Sequence, residues 1–384
     1  MKMKRIFIIL KEDIIHYPPV LTILNILPKM GYKVIHIGVY SDGEAKRKYE
    51  TQGIEFWPTL KYNGNSGLIS KLFSQLKYRK QVMKYLDRAN ISAEDRIWIM
   101  QNETICLLSQ IVEKYPCILH LYEYGEPLIN WKYMLLNPAY KPVETFAKAK
   151  KIVCCEYNRA HITKGLFQLD ELPIVLPNKM IINEKDLMRV PNDIKPLFDD
   201  VVAKTKGKIV ILYQGIFLDK ERRLEEFCEA VRNMSDDYVF IAMGKGSELF
   251  ERLKMKYESD RILFIPFIRP PYHLLITRLA SIGVLSYFPR KGTVAHTINP
   301  IYCAPNKIFE YAKYGVPMIS NDVPALKYAY LEFGCGECIP YPLTTENISS
   351  TIKRIMDNYH QYQQGALNYF DSVDVKQIIS KIVS

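Results

Sequence analysis

Long apolar runs, a disulfide framework and a complete zinc motif are all missing from this sequence of 384 residues. No run approaches the ~18 apolar residues of a transmembrane helix, and Ile6–Leu10 falls short of the roughly 7–15 that a signal peptide needs. Eight cysteines are too few and too scattered for a disulfide scaffold. Cys335 and Cys338 form a single C-x-x-C, which is half of a zinc ligand set and predicts two loop thiols. We therefore expect a cytoplasmic protein that is at most peripheral on the inner face of the plasma membrane.

Acidic residues are absent from Phe56–Leu86, a stretch with six basic residues. The formal net charge of the whole chain is +11, and residues 1–190 hold 28 basic and 19 acidic residues, a net of +9. Residues 191–384 hold 24 and 22, a net of +2. This balance indicates an anionic partner, which is a nucleic acid, a membrane surface or a phosphorylated small molecule.

The acid-free stretch also has apolar residues at helical spacing. They are Leu68, Ile69, Leu72, Phe73, Leu76, Val82 and Met83. In one interpretation this basic amphipathic helix sits on an anionic membrane, and each basic residue contributes about 1 kcal/mol. In the other interpretation its apolar face is part of the core.

Short apolar runs alternate with segments of helical period. In the first half the runs are Arg5–Leu10, Lys33–Val39, Arg96–Met100, Cys117–Leu121, Ile152–Cys155 and Pro173–Leu176. After polar residues 184–208, which predict a linker, they are Lys208–Tyr213, Tyr238–Met243, Arg261–Ile265, Ser281–Tyr287 and Val316–Ser320. Such a pattern predicts parallel sheets covered by helices on both faces. We therefore expect an α/β fold of two Rossmann-like domains, with ligands bound beyond the carboxyl ends of the strands in the cleft between them.

Two predicted strands end in glycine. Ile209–Gly215 is followed by the charged segment Asp219–Arg223, and this junction lets backbone N–H groups approach a phosphate closely. Phe240–Gly246 ends in G-x-G, but Leu249 stands where the third glycine of a dinucleotide fingerprint belongs. That replacement disfavours an NAD site. By itself, the basic first turn is also typical of a solvated surface helix.

The most informative segment is Ala304–Ser320, which contains the letters P-N-K-I-F-E-Y. Asn306 is expected as the N-cap of a short helix and Gly315 as its C′ residue. Asn306 and Lys307 at the positive helix start suit an anion, and Glu310 one turn on can accept hydrogen bonds from a diol. A nucleotide-diphosphate site has this arrangement, and so has an ordinary capped helix with an exposed Glu. The residues expected on the inward face are Ile308, Tyr311 and Ala312, with Phe309, Glu310 and Lys313 elsewhere.

The order of these segments, with Arg261–Phe267 and Ser281–Pro289 between them, resembles retaining GT-B glycosyltransferases of the family 4 type. In particular it resembles the polysaccharide-biosynthesis branch that carries P-N-K-x-F-E-Y. The likeness covers roughly residues 150–345, and Asn178 matches the Asn of that family's I-P-N-G element. The resemblance implies a GT-B architecture with three parts. These are an acceptor-binding domain over residues 1–190, a nucleotide-sugar-binding domain over residues 191–360, and a C-terminal helix in residues 361–384 that packs back toward the first domain.

The resemblance also implies roles for single residues near the donor. Glu310 matches the second glutamate of the family's E-x7-E motif, which binds the donor ribose. Tyr302 stands at the first position, so Asn299, Tyr302 or nearby backbone N–H groups are expected to contact the sugar. Ile268 and its neighbours are expected beside the nucleobase.

For the diphosphate, the family places an Arg/Lys pair just after the residue equivalent to Gly215. Ile216 stands at the Arg position, which leaves Arg222 as the expected cation and Lys220 or Arg223 as alternatives. The donor-binding set is thus expected to be Gly215, Lys220, Arg222, Gly244, Ile268, Asn299, Tyr302, Asn306, Lys307 and Glu310.

In the first half, the best polar cluster at a strand end runs from His120 to Glu126. Glu123 is favoured there, followed by Glu126 and His120, as a group that orients the acceptor or supports an oxocarbenium-like charge. The alternative is a surface loop that carries these side chains without a role in chemistry.

Taken with these patterns, the resemblance implies a glycosyltransferase that moves a sugar, with retention, from a UDP- or GDP-type donor to a glycan or lipid-linked oligosaccharide. The resemblance implies bacterial surface polysaccharide biosynthesis and a metal-free site, and the sequence contains no Asp-x-Asp to hold a metal. The alternatives are a GT-B nucleotide-sugar epimerase or hydrolase and a non-catalytic, basic nucleic-acid-binding protein. A nucleic-acid-binding protein would interleave basic residues with exposed aromatics on a recognised module, and no such module is evident.

Overall fold

The computed structural model describes residues 3–60, 67–124 and 137–384. The chain divides into two compact units, Met1–Asn178 with Asp374–Ser384, and Lys179–Val373. Each unit contains one parallel sheet flanked by helices. The predicted α/β fold class, with two Rossmann-like sheets, is therefore confirmed.

The sheet of the first unit has seven parallel strands in the order β3-β2-β1-β4-β5-β6-β7. Their bounds are β1 Arg5–Asp13, β2 Lys33–Val39, β3 Glu55–Pro58, β4 Arg96–Met100, β5 Cys117–Leu121, β6 Lys151–Cys154 and β7 Ile174–Val175. The strand order reverses between β1 and β4, so the loops after these two strands lie at a topological switch point. Strand β3 was not predicted, because this edge strand is short, ends in proline and is only partly buried.

The helices of the first unit have apolar faces toward this sheet. They are α1 Pro18–Ile26, α2 Gly43–Glu50, α3 Leu68–Ala89, α4 Asn102–Leu107, α5 Ser109–Lys114, α6 Pro142–Ala147, α7 Tyr157–Leu166 and, from the end of the chain, α17 Val375–Val383. In α3, Tyr78, Val82 and Leu86 recur at spacings of three to four residues and are buried against the sheet. This spacing places them on one face of the helix.

The sheet of the second unit has six parallel strands in the order β10-β9-β8-β11-β12-β13. Their bounds are β8 Ile209–Ile216, β9 Tyr238–Lys245, β10 Ile262–Pro266, β11 Ile282–Leu285, β12 Met318–Asn321 and β13 Gly336–Ile339. Alternate strand residues fill two cores, Val210 and Leu212 on one face and Ile211 and Tyr213 on the other, so both faces are covered. Cys338 lies in β13 and not in the loop predicted for it, and it is a free thiol.

The helices of the second unit include several that the sequence did not indicate. They are α8 Lys195–Thr205, α9 Glu225–Asn233, α10 Glu248–Tyr257, α11 Leu274–Thr277, α12 Ala295–Ile301, α13 Asn306–Lys313, α14 Pro324–Phe333, α15 Thr345–Asp357 and α16 Tyr359–Asp371. The prediction of a linker over residues 184–208 was wrong, because α8 lies within it. This helix is polar on most of its surface but buries Val201 in the core.

Candidate functional site

The carboxyl end of β8 meets the first turn of α13 in the second unit. Gly215 has φ +140°, and a β-carbon built on it would lie 2.3 Å from Cε and 2.7 Å from Nζ of Lys307. Only glycine therefore fits at this position without moving the lysine. The sequence predicted both residues as donor-binding candidates, and the structure brings them together.

The start of α13 differs from the prediction. Asn306 was expected as the N-cap, but the cap position is held by Pro305, with φ −73° and ψ 137°, and Asn306 is the first helical residue. No side chain caps the helix, so its first N–H groups lack the side-chain partner that a capping Asn would supply. Gly315, with φ +63°, follows the C-cap residue Tyr314 and holds the C′ position predicted for it. An uncapped helix start of this kind suits an anion.

The burial of α13 also differs from the prediction. Phe309 and Glu310 were expected away from the inward face, yet both are buried. Phe309 stacks on Tyr369 of α16 with ring centroids 5.2 Å apart. Because α16 covers the side of α13 that carries Phe309, this helix is buried on more than its expected inward face. Glu310 is likewise buried and is not an exposed surface acid.

Glu310 is the centre of a buried polar network. Its side chain is joined to β8 by the Nε2 of Gln214, which donates to Oε2 at 2.6 Å. The Nε2 of His273 lies 3.3 Å from the other carboxylate oxygen, and Thr277 Oγ1 donates to Gln214 Oε1 at 2.7 Å. Burial by itself acts to raise the pKa of Glu310. The contact with His273, the charge of Lys307 and the hydrogen bond from Gln214 together outweigh burial, so the pKa lies below its ordinary value and the carboxylate is charged.

Sequence reasoning missed His273, Gln214 and Thr277. Gln214 carried a signal, since it is a polar residue inside the otherwise apolar run Ile209–Ile216. His273 and Thr277 carried none, because they lie on and beside the short helix α11, which reaches Glu310 only through the fold. Neither loop nor helix pattern around them indicates a binding residue.

Arg222 is a second positively charged side chain to consider beside Lys307. Its side chain is 10% exposed, and its Nη1 donates to Oε1 of Glu221 at 2.6 Å. The guanidinium carbon lies 4.2 Å from the centroid of the Tyr287 ring. Arg290 approaches the other oxygen of Glu221, with Nε at 3.4 Å. Glu221 and the aromatic ring thus hold Arg222 in one orientation.

The pKa of Lys307 is affected by burial and by the positive charge of Arg222. Loss of water around its ammonium group lowers the pKa of Lys307 to about 8, and the charge of Arg222 acts in the same direction. Glu310 opposes this shift without cancelling it. Like charges held together are relieved by an anion bound between them, so this part of the molecule is suited to a phosphate group.

The two alternative cations lie differently. Lys220 is exposed on a turn, with φ +64°. Arg223 forms an ion pair with Glu226, and its guanidinium lies 5.1 Å from the ring centroid of Phe288. Of the three basic residues proposed to follow Gly215, it is therefore Arg222 that acts on Lys307.

Gly244 serves the packing of two strands. It pairs with Gly215 across β8 and β9, and a β-carbon built on it would lie 1.9 Å from the carbonyl oxygen of Gly215. The glycine pair lets the two strand ends approach closely. Gly244 therefore supports the position of Gly215.

The remaining donor-side candidates lie at different depths. Ile268 was expected beside the nucleobase. Its side chain is 5% exposed and belongs to the core, and its contact with a base stays a prediction. The neighbouring Phe267 is 60% exposed. Asn299, within α12, and Tyr302, the residue that ends it, are half-buried.

In the first unit the predicted acceptor-side cluster is divided. His120 is fully buried within β5, between the rings of Trp98 and Tyr122, with centroid distances of 5.9 and 4.3 Å. Burial lowers the pKa of His120 to about 3, so this imidazole is neutral and does not reach solvent. His120 lies in the strand predicted for it, but in the core and not at a solvent-facing position of the strand end. Glu123 is exposed after the strand, and Glu126 lies outside the described residues.

Within residues 3–60, 67–124 and 137–384, no helix combines the length and hydropathy needed to cross a bilayer. In the same ranges no three His, Cys, Asp or Glu side chains are grouped as metal ligands.

Comparison with known proteins finds likeness at the level of structure. No family model matches the sequence, and no curated protein is detectably similar to it. The structure of Anabaena HepE in complex with UDP matches with a TM-score of 0.66 and 14% identity, over 99% of this chain and 98% of that one. A glycosyltransferase from Rickettsia africae matches with a TM-score of 0.69 and 12% identity, over 99% and 97%.

A third similar structure is WaaG, a glycosyltransferase involved in lipopolysaccharide biosynthesis. It matches with a TM-score of 0.63 and 12% identity, over 98% of each chain. Identities this low show the fold, which spans nearly the whole length of all three proteins. The chain therefore has the two-sheet α/β fold of GT-B glycosyltransferases.

Proposed function

We propose that this protein is a glycosyltransferase that uses a nucleotide diphosphate sugar of UDP or GDP type. One observation carries the proposal: Lys307 lies at the end of β8, the charge of Arg222 helps to lower the pKa of Lys307, and the buried carboxylate of Glu310 lies one turn along α13. A diphosphate relieves the repulsion, and the carboxylate accepts hydrogen bonds from the ribose. The UDP bound in the similar HepE structure supports this nucleotide class.

The proposed reaction depends on charge that develops on the leaving group. As the bond from the anomeric carbon to the donor phosphate breaks, negative charge grows on the diphosphate. Lys307, Arg222 and the uncapped start of α13 stabilise it. The acceptor oxygen forms the new bond on the same face of the sugar, and its proton passes to the leaving phosphate oxygen. Anomeric configuration is retained, and these side chains supply the cationic charge without a metal ion.

On the acceptor side, we assign the supporting role to Glu123. It is exposed directly after β5, and a carboxylate at a strand end can orient a hydroxyl or stabilise positive charge on the sugar ring. His120 is not part of this proposal, because it is enclosed in the core.

Nucleotide titration tests the donor site. Calorimetry with UDP, GDP, ADP and CMP is expected to show tight binding of either UDP or GDP. The same nucleotide should raise the unfolding temperature of the protein. At a ligand concentration about 100 times Kd the stabilisation is ~2.7 kcal/mol. Arg222→Gln should lose most of the affinity for the diphosphate, while the matched variant Arg223→Gln, which removes a cation already paired with Glu226, should bind like the parent. No response to any nucleotide would overturn the proposal.

The reaction itself is tested with a UDP-sugar and the products followed by NMR. A new glycoside whose anomeric configuration matches that of the donor is expected when glycan acceptors are present. Conversion of the donor sugar to an epimer, or its release as free sugar as the main product, would contradict transfer.

The expected setting is surface polysaccharide synthesis at the inner face of a membrane. The surface concerned is the α3 stripe, which consists of Ile69, Phe73, Leu76, Lys77, Lys80 and Lys84. Ile69 and Phe73 are 73% and 66% exposed, and the three lysines on the same side of the helix are exposed as well. Val82, predicted in one stripe with them, instead faces the core. The membrane and core interpretations of this helix thus describe two different faces.

Vesicle co-sedimentation tests the α3 stripe. Binding to phosphatidylglycerol vesicles and little binding to phosphatidylcholine vesicles is expected, since each exposed lysine contributes about 1 kcal/mol at an anionic surface. Replacing the three stripe lysines by Gln should abolish sedimentation. The control variant replaces three lysines that are already paired with acids, Lys114, Lys141 and Lys148, and should sediment like the parent. Equal loss in both variants would argue against the stripe.

A further inference from the structure

The short helix α11 carries two polar side chains on one side. Thr277, its last residue, is fully buried, and His273, which precedes its first residue, has a side chain that is 12% exposed. Residues four apart lie on the same side of a helical turn. The residues between them, Leu274, Leu275 and Ile276, are apolar and buried. The two polar groups therefore depend on partners from other elements.

These two side chains act on the two oxygens of one carboxylate. The Nε2 of His273 lies 3.3 Å from Oε1 of Glu310. Thr277 acts on the other oxygen through β8, since its Oγ1 donates to Oε1 of Gln214 at 2.7 Å. The Nε2 of Gln214 then donates to Oε2 of Glu310 at 2.6 Å. One turn of α11 thus fixes Glu310 at both oxygens, once directly and once through the amide of Gln214.

The imidazole of His273 is not explained by stability alone. Its Nδ1 is buried and has no hydrogen-bond partner among the residues that the structure describes. A buried nitrogen without a partner costs free energy, so the fold gains less from this side chain than from a fully bonded one. The polar contact that remains is the one between Nε2 and Glu310, and an effect of His273 is therefore expected there.

The carboxylate of Glu310 keeps acceptor positions for a ligand. An ionised carboxylate has about four such positions, two on each oxygen. Within the described part of the chain, His273 and Gln214 each occupy one, so each oxygen retains about one. The side chain is 8% exposed, and a charge at this depth is favoured by further donors. Two neighbouring hydroxyl groups of a ligand would supply one donor to each oxygen.

We propose that His273 and Thr277 are positioning residues, which orient Glu310 so that its two oxygens bind two neighbouring hydroxyl groups of the nucleotide. That these hydroxyls belong to a ribose rests on the proposed function. A carboxylate that is held at both oxygens cannot turn toward a ligand that lacks one hydroxyl. Such a ligand leaves a buried acceptor unpaired and binds more weakly for that reason. Helix α11 thereby sets the preference for a ribonucleotide.

The ratio of two affinities tests this inference. The ligands are the nucleotide that the parent binds, UDP or GDP, and its 2′-deoxy form, both titrated by calorimetry. His273→Phe keeps a ring without a donor, and Thr277→Val keeps the shape of the side chain without its hydroxyl. Each variant is expected to bind the ribonucleotide about tenfold more weakly, the effect of one hydrogen bond. Binding of the 2′-deoxy form should weaken less, so the ratio of the two affinities falls.

Conservative variants and a matched control separate positioning from damage to the fold. His273→Gln and Thr277→Ser each restore a donor, and the affinity ratio should return toward that of the parent. Arg278→Gln is the control, because Arg278 directly follows Thr277 and forms an ion pair with Glu184, outside the contacts of Glu310. Its affinity ratio should equal that of the parent even where its unfolding temperature is lower.

A merely structural role of α11 would lower the affinity for both nucleotides alike. An unchanged ratio in His273→Phe and Thr277→Val would therefore overturn the positioning role, as would an equal fall of the ratio in Arg278→Gln. A parent that binds the nucleotide and its 2′-deoxy form equally would also overturn it, while leaving the donor site in place. A parent that binds no nucleotide would instead remove the proposed donor site and this inference with it.

Discussion

The side chain of Lys307 occupies the space where any β-carbon of residue 215 would lie, since a β-carbon on Gly215 would come within 2.3 Å of its Cε. The ammonium group therefore lies at the carboxyl end of β8, beside a glycine with a positive φ. This contact ties the start of α13 to the central strand of the second unit. It also explains why a change at residue 215, which is distant from α13 in sequence but adjacent to it in space, should alter anion binding.

Gly215→Ala is expected to displace Lys307 and to weaken UDP binding about tenfold or more, because a hydrogen bond to a charged group contributes about 1.5–3 kcal/mol. Calorimetry on the folded variant measures this. Gly207→Ala is the control: its φ is also positive, at +73°, but nothing lies within 4 Å of the added carbon. Both variants lose stability through backbone strain. Equal UDP affinity in the two would contradict the role of Lys307.

UDP affinity should depend on pH through Lys307. Burial lowers the pKa of Lys307 to about 8, so the side chain is charged below that pH and becomes neutral above it. Binding to the diphosphate is therefore expected to weaken as the pH rises through about 8. A bound anion favours the charged form, so the loss approaches tenfold per pH unit at most.

Lys307→Arg provides the comparison for this profile, because arginine stays protonated over the whole range. If Lys307 is the titrating group, the variant should bind UDP with an affinity that is flat across pH 8. Parallel curves for the parent and the variant would assign the titration to another group.

Glu310→Gln should reduce UDP affinity about 10- to 100-fold, because a neutral amide replaces a charged acceptor. This loss is expected to come from the ribose hydroxyls, so a nucleotide that lacks one of these hydroxyls serves as the control. Affinity for 2′-deoxy-UDP should already be lower in the parent and should fall less on substitution. Calorimetric titration of both nucleotides into both proteins completes the cycle. An equal drop for the two nucleotides would show that Glu310 acts only in holding Gln214 and His273.

The buried imidazole of His120 should make the first unit sensitive to acid. Its pKa is about 3 in the folded protein, below the ordinary value, so the unfolded chain binds the proton more tightly. The contribution of the neutral His120 to the free energy of unfolding is then fully present above about pH 6.5. It falls by about 1.4 kcal/mol per pH unit as the pH drops toward the folded pKa.

His120→Phe, which keeps a ring between Trp98 and Tyr122, should remove this part of the acid sensitivity, measured as the change in unfolding temperature between pH 7 and pH 5. His161→Gln, at an exposed position of α7, is the control and should behave like the parent. His36 is buried in the same sheet, with its pKa lowered to about 4 by burial, so a residual pH dependence is expected. An unchanged slope in His120→Phe would contradict the argument.

The alternation of apolar runs and helical segments was sufficient to predict the fold. Lys33–Val39, Arg96–Met100 and Cys117–Leu121 were predicted with the bounds they have in the sheet, because buried parallel strands are apolar along their whole length. The edge strand Glu55–Pro58 was missed because one side of it is less covered, and it therefore has no such run. Helix Lys195–Thr205 was missed because few of its residues face the core.

The sequence by itself determined the local parts of the candidate site: a glycine at a strand end, and a lysine and a glutamate on the first two turns of a helix. Those choices follow from backbone conformation and helical spacing, which act over a few residues. Only the tertiary structure decided that Glu310 is buried, that Gln214, 96 residues earlier, binds it, and that His273 approaches it from α11. It likewise placed His120 in the core. Burial and long-range pairing depend on how the sheet and helices pack around a residue, and no local pattern records that packing.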